Sequence, residues 1–379
     1  MTAAPPRFVT GSLMRHVVVM AGTGAIGLIA IFAVDLINLL YISMLGEQAI
    51  AAAVGFAGVV GFFMLSLFIG LLIGVTATVS RTIGAGRMAD ARALATSSLV
   101  LVAAIAALVS GLTLVFLEPL LHLLGARDRV AELAQRFLTI ALPSTVMLGV
   151  GMVCSALLRS VGDARRAMLV TLLPAIVTAI LDPLFIFGFK LGLDGAAIVV
   201  VIARSVLVGV GLYGAWRVHH LLAPFDRSRL AADARLLSVV AGPAVLTNLA
   251  TPVGAAFVTH SVAAFGASAV AGQATIERLT PVAFGLIYSL SGAVGPVFAQ
   301  NLGAKRFDRV RESLRASLNP LALLDPESPL IVDDAALLAE GLILPDGDDG
   351  SHWTETARNL VRGIVLHLVA TQPGATLFD

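Results

Sequence analysis

Residues 17–45 read VVVMAGTGAIGLIAIFAVDLINLLYISML, and the parsing of this stretch decides the fold. Its first part, β-branched residues followed by Gly22-x-Gly24-x-x-Gly27, spells a dinucleotide-binding turn. In such a turn glycines let the backbone approach a pyrophosphate, a helix N-terminus faces the phosphates, and an acid about 20 residues on holds the ribose. Here the apolar run continues through LIAIFAV, meets Asp35 too early, and stays apolar to Leu45. No strand, turn and polar-edged helix can be cut from it. The same spelling recurs at Gly209, Gly211 and Gly214 inside another apolar run, so glycine spacing carries little information in this chain.

Composition points the same way. Of 379 residues, 58% are hydrophobic and 13% charged, with mean hydropathy +0.94. Soluble domains carry about a quarter charged residues. A helix crosses a bilayer with about 20 predominantly apolar residues, because its backbone polar groups are satisfied within the segment. Eight stretches qualify: residues 17–45, 53–79, 94–117, 137–158, 168–189, 196–216, 236–260 and 270–298. The first is too long for a signal-peptide core and reads as an uncleaved span. The expected protein is an all-α polytopic membrane protein.

Lysines and arginines set the expected orientation. Arg81, Arg87 and Arg92, then Arg159, Arg165 and Arg166, then Lys305 through Arg315 fall on the same side as the N-terminus. Arg127, Arg129, Arg136 and Lys190 fall on the other. The N-terminus and the C-terminal tail are therefore expected on the cytoplasmic face of a plasma (inner) membrane. Cys154 is the only cysteine and lies within a span, so no intrachain disulfide forms.

The chain repeats itself. IGAGRMADAR from Ile83 aligns with LGAKRFDRVR from Leu302, pairing Gly84 with Gly303, Ala85 with Ala304, Arg87 with Arg306 and Arg92 with Arg311. Upstream, LGEQAIAAAVG from Leu45 resembles FGASAVAGQAT from Phe265 at nearly the same shift. Such duplications are a common way to build transporters. The first copy holds six spans and the second two. Near Leu318 the net charge turns from basic to acidic. The expected organisation is a six-helix lobe over residues 1–230, a partial second lobe over 231–317 and an acidic cytoplasmic tail over 318–379.

A carboxylate inside a membrane helix is costly and by default marks an ion or proton path. Asp35 has Asn38 one turn on, and Asp182 has Thr178 one turn back, so each carboxylate shares a helix face with a second oxygen-bearing side chain. Oxygen ligands suit Na⁺, and a buried carboxyl also suits a proton. Arg204, in the sixth span, reads equally as a counter-charge or as a side chain reaching the interface. The His219 and His220 pair lacks a second ligand set for a metal. There is no phosphate loop, zinc-protease motif, nucleophile elbow or cysteine cluster, so no enzyme, cofactor or nucleic-acid partner is expected, and the energy source is an ion gradient.

LLRSVGDARRAMLVTLLPAIVTAILDPLFIFGFKLGLDGAAI (157–198), TVSRTIGAGRMADAR (78–92), GPVFAQNLGAKRFDRVR (295–311) and VDLINLLYISMLGEQAIAAA (34–53) resemble the multidrug and toxic compound extrusion (MATE) family of transporters. The resemblance covers about residues 13–317. It implies two six-helix lobes and export of amphipathic, often cationic compounds in exchange for H⁺ or Na⁺. Asp35 and Asp182 match the family's coupling carboxylates in the N-terminal lobe. Thr178 stands where the family often has Asn, and Val200 where it often has Thr, which favours protons over a full Na⁺ cage. Ala255 occupies the repeat position of Asp35, so coupling is expected in the first lobe alone. A lipid or polysaccharide flippase of the same superfamily is the alternative, and a non-transporting chimeric remnant a further one.

The tail differs. NPLALLDPESPLIVDDAALLAEGLILP and HWTETARNLVRGIVLHLVA resemble a stretch of conjugative type IV secretion coupling proteins, without their nucleotide-binding loop. Residues 353–370 can form one amphipathic helix, with Leu360, Val361, Ile364 and Leu368 on a stripe.

Overall fold

The structure is a computed structural model that describes residues 6–263 and 285–318, with isolated positions at 265, 273, 276, 331, 332, 362 and 366. Two compact units divide it, Met1–Arg306 and Phe307–Asp379. The unit boundary lies at a turn after residue 303, ahead of the charge reversal near Leu318. The first unit holds α1 (Leu13–Ser43), α2 (Gln48–Gly84), α3 (Met88–Val115), α4 (Leu117–Leu123), α5 (Asp128–Ala141), α6 (Thr145–Ser160), α7 (Ala164–Pro183), α8 (Gly192–Leu212), α9 (Arg227–Ala263) and α10 (Gly285–Gly303). The second begins with α11 (Phe307–Leu318). The amphipathic helix expected over 353–370, and the tail stretch resembling coupling proteins, lie outside the described residues apart from isolated positions.

Among the described residues seven helices are long and apolar enough to cross a membrane, and they coincide with the first seven expected spans. Most of the first half of the eighth falls outside the described residues, and α10 is its second half. The helices outrun their apolar cores. α2 continues through Ser80–Gly84 because polar residues at a helix end remain helical until a stop signal, here Gly86 in the left-handed region at φ +75°.

The fourth span differs from the expected single helix. α5 and α6 are separated by a 3₁₀ turn, Leu142–Ser144, centred on Pro143. Proline removes one backbone donor, and the turn tightens so that the Thr145 N–H bonds to the Leu142 carbonyl. A second local departure follows α7, where Pro183 leads into a π-helical turn, Leu184–Gly188.

In lipid, helices associate through close packing of small residues rather than through exclusion of water. α2 meets α9 where a Cβ on Gly74 would stand 2.6 Å from that of Ala241, and one on Gly70 2.6 Å from the Val245 nitrogen. α6 meets α8 where Gly211 faces Cys154, with its Cβ position 2.7 Å from that of the cysteine. Phe68, Val75 and Val79 of α2 pack with Leu94 and Val102 of α3 and Val153 and Leu157 of α6 to form the largest apolar cluster among the described residues.

Two of the three glycines of the opening stretch act in the same way, and Gly22 faces open space. A Cβ on Gly24 would lie 3.3 Å from that of Ser289 on α10, and one on Gly27 would overlap the Thr171 hydroxyl on α7. α1 is thus wedged between α7 and α10. Ser289 completes the seat by donating to the Ala21 carbonyl at 2.8 Å.

The repeat is visible in the backbone. After α2, the N–H groups of Ala85, Gly86 and Arg87 bond to the carbonyls of Arg81, Ile83 and Thr82. After α10, those of Ala304, Lys305 and Arg306 bond to Gln300, Leu302 and Asn301, the positions equivalent by the repeat. Gly86 and Lys305 occupy the same left-handed position, at φ +75° and +57°. One helix-ending motif is therefore used twice.

Candidate functional site

Asp182, near the end of α7, is 1% exposed. Its Oδ2 accepts a hydrogen bond of 2.7 Å from the Asn38 side-chain amide on α1. Its Oδ1 is buried and has no hydrogen-bond partner. A carboxylate inside a membrane protein with one lone-pair face unmet is short of one ligand. α1 brings the amide there because it packs along α7 through Gly27 and Thr171.

The sequence places Asn38 beside Asp35; the structure gives it to Asp182, a partner 144 positions away. Asp35 lies on an exposed part of α1, one turn before Asn38. Thr178 is partly buried one turn before Asp182, and its hydroxyl donates to the Pro174 carbonyl at 3.0 Å. Such a bond to the carbonyl four residues back is the ordinary one for a helical threonine, and Thr82 makes it as well. The hydroxyl oxygen retains acceptor capacity but donates no bond to Asp182.

Arg204 does something other than either role read from sequence. Its Nη1 donates to the Ala141 carbonyl at 2.9 Å, to Ser144 Oγ at 2.8 Å and to Thr145 Oγ1 at 3.3 Å. The 3₁₀ turn at Pro143 diverts the Thr145 N–H to Leu142 and so frees the Ala141 carbonyl. Arg204 and the Ser144 hydroxyl, which donates to the same carbonyl at 2.6 Å, fill that vacated position. It bridges α8 to the α5–α6 break rather than answering Asp35 or Asp182.

At the end carrying the basic loops, sequence reasoning missed three polar links. Asp163 caps α7 by accepting from the Arg166 N–H at 3.0 Å and from Arg166 Nη1 at 2.6 Å, while His219 Nε2 lies 2.7 Å from the same carboxylate. Burial pushes the Asp163 carboxyl up, but the hydrogen bonds from His219 and Arg166 outweigh it and hold the group below the usual carboxylate range. Buried Asp233 on α9 accepts a bond of 2.6 Å from Ser97 on α3. Arg229 Nη2 donates to Asp90 at 2.9 Å. The D-x-x-R spacing of Asp163 and Arg166 is the one signal in the sequence that marks any of them.

The same end is closed by α2 and α10. A Cβ on Gly84 would overlap the Gln300 carbonyl, and one on Gly303 would overlap the Arg81 carbonyl. The Gln300 side chain accepts from the Phe8 N–H at 3.0 Å and donates to the Ser160 carbonyl at 2.6 Å, and Asn301 donates to the Phe8 carbonyl at 3.1 Å. The N-terminal segment is thereby pinned between α6 and α10.

Comparison with known proteins places this arrangement. The MatE family model matches residues 25–184 and 243–325, so the match runs past the charge reversal near Leu318. Over 302 residues the chain is 34% identical to the FAD transporter of Shewanella oneidensis, covering 77% of this chain and 66% of that protein. It is 27% identical over 259 residues to the probable multidrug resistance protein NorM of Thermotoga maritima, covering 64% of this chain and 54% of that one. The chain thus spans between about half and two thirds of the length of these curated relatives. A crystal structure of a mutant of the Vibrio cholerae MATE transporter VcmN aligns with a TM-score of 0.78 at 25% identity, covering 94% of this chain and 80% of that one. The chain belongs to the MatE family, whose members are membrane transporters and not enzymes.

Proposed function

We propose that this chain exports small molecules by secondary active transport, with H⁺ or Na⁺ moving in exchange through the N-terminal lobe. The observation that carries the reading is Asp182, buried, held on one oxygen by Asn38 and short of a ligand on the other. Thr178 and Asp35 stand one turn from Asp182 and Asn38 respectively and complete the coupling group. A proton fits the set better than Na⁺, because the Thr178 hydroxyl is turned to its own helix and Val200 offers no oxygen in its side chain. The basic loop end faces the cytoplasm in this reading, and the protein sits in the plasma (inner) membrane.

Amphipathic or cationic compounds are the first substrate class, in keeping with the relatives named for multidrug resistance. A second reading is a flavin dinucleotide, favoured by the relative at 34% identity named FAD transporter. The test is flux in proteoliposomes under an imposed pH or Na⁺ gradient, with ethidium and FAD as cargoes. Gradient-dependent movement of one of them, abolished by Asp182→Asn with the protein still folded, is the expected result. Unchanged flux in Asp182→Asn overturns the coupling role, and wild-type protein that moves neither cargo overturns the export reading.

A further inference from the structure

We infer that Arg159 is an anion-recognition residue inside the membrane, positioned to take a phosphate group of the transported molecule. The inference rests on the export reading, with a phosphate-bearing amphipathic cargo.

By sequence Arg159 counts among the basic loop residues, yet it lies within α6 and is only partly exposed. Helical side chains lean toward the N-terminus of their helix. For α6 that direction leads away from the basic end and into the membrane. The guanidinium follows it: Nη1 lies 3.3 Å from where a Cβ of Gly292 on α10 would stand. Gly292 is two turns before Gln300, which puts it about 12 Å further from the closed basic end at 1.5 Å per residue. Gly292 is itself exposed, and among the described residues nothing but the Arg159 guanidinium lies within 4 Å of its Cβ position.

Three arginines near this end have acidic partners: Arg166 has Asp163, and Arg229 and Arg87 have Asp90. Arg159 has neither a hydrogen bond nor an ion pair in its side chain among the described residues. A charge inside a membrane protein is costly, and one left unmet by protein groups marks a path for a ligand of opposite sign. The planar guanidinium fork suits two oxygens of one phosphate. Gly292 opposite leaves room that any larger residue would take.

The experiment is calorimetric titration of the purified full chain in detergent with FAD and with riboflavin, which has the same ring system but no phosphate. The proteins are wild type, Arg159→Lys, Arg159→Gln and Arg159→Ala, each checked for folding by thermal unfolding. Wild type is expected to bind FAD more tightly than riboflavin. Removing the charge is expected to weaken FAD binding about tenfold or more, the scale of a lost hydrogen bond to a charged group, and to leave riboflavin unchanged. Arg159→Lys should recover part of the loss. Equal affinity for both flavins in wild type, no binding of either, retained FAD affinity in the folded Gln or Ala variant, or equal loss of both flavins overturns the inference. If FAD binds through Arg159 and neither FAD nor ethidium is transported in liposomes, the anion site stands and the export reading falls.

Discussion

Gly84 and Gly303 each seat on the backbone of the other's helix, and the seats are equivalent by the internal repeat: Gly84 against Gln300, Gly303 against Arg81. A reciprocal contact of this kind is what a two-fold relation between duplicated helices produces, since the residue paired with Arg81 by the repeat is Gln300 itself. The contact is backbone to backbone, so neither glycine tolerates a side chain. Gly84→Ala is expected to separate α2 from α10 and to lower stability by about 1–3 kcal/mol, the usual cost of overpacking. Gly295→Ala, on α10 with nothing within 4 Å of its Cβ position, is the control and should be neutral or slightly stabilising. Thermal unfolding of the three proteins in one detergent decides it, and equal midpoints would show that the seat is not tight.

The second copy of the helix-ending motif carries a flaw that the first does not. Gly86 meets the left-handed conformation without penalty, whereas Lys305 pays for its Cβ at φ +57°. Lys305→Gly is therefore expected to stabilise the chain by roughly 1 kcal/mol, and Gly86→Lys to destabilise it by a similar amount. A lowered unfolding midpoint in Lys305→Gly would mean that the lysine side chain makes compensating contacts.

Much of the fold is legible in the sequence because a membrane demands long apolar runs, and seven of the expected spans needed only that rule. The repeat was also readable, through Gly84, Arg87 and their partners in IGAGRMADAR and LGAKRFDRVR. Its sharpest mark was not: the left-handed residue is Gly in one copy and Lys in the other, so the letters differ where the backbone agrees. The α5–α6 break was signalled by Pro143 but hidden in an unbroken apolar run. At the candidate site, residue types were readable and pairings were not. Asn38 and Asp182 are 144 positions apart, as are no residues that helical periodicity can relate. Ser97 and Asp233 are likewise joined only by packing of α3 on α9.

Arg204 offers a test that separates structure from coupling. Its guanidinium satisfies a carbonyl and two hydroxyls at the α5–α6 break, so Arg204→Met is expected to cost about 2–3 kcal/mol, as for hydrogen bonds to a charged group removed from an interior site. A counter-charge to Asp182 would instead be relieved by removing both charges. The double variant Arg204→Met, Asp182→Asn should be no more stable than Arg204→Met alone. Recovery of the unfolding midpoint in the double variant would return Arg204 to the coupling group.

Asp163 predicts a pH dependence at the basic end. Its folded-state carboxyl lies below the ordinary value of 3.8, since hydrogen bonds from His219 and Arg166 outweigh the opposing effect of burial. A depressed acid contributes stability that is fully present above its unfolded value and disappears as pH falls through the folded one. Wild type should therefore exceed Asp163→Asn in unfolding midpoint by a constant margin above about pH 5, and the margin should close below pH 4. The asparagine retains the capping oxygen for the Arg166 N–H, so the comparison isolates the charge from the cap. A margin that persists undiminished to low pH would show that the carboxylate acts only through its shape and its helix-capping bond.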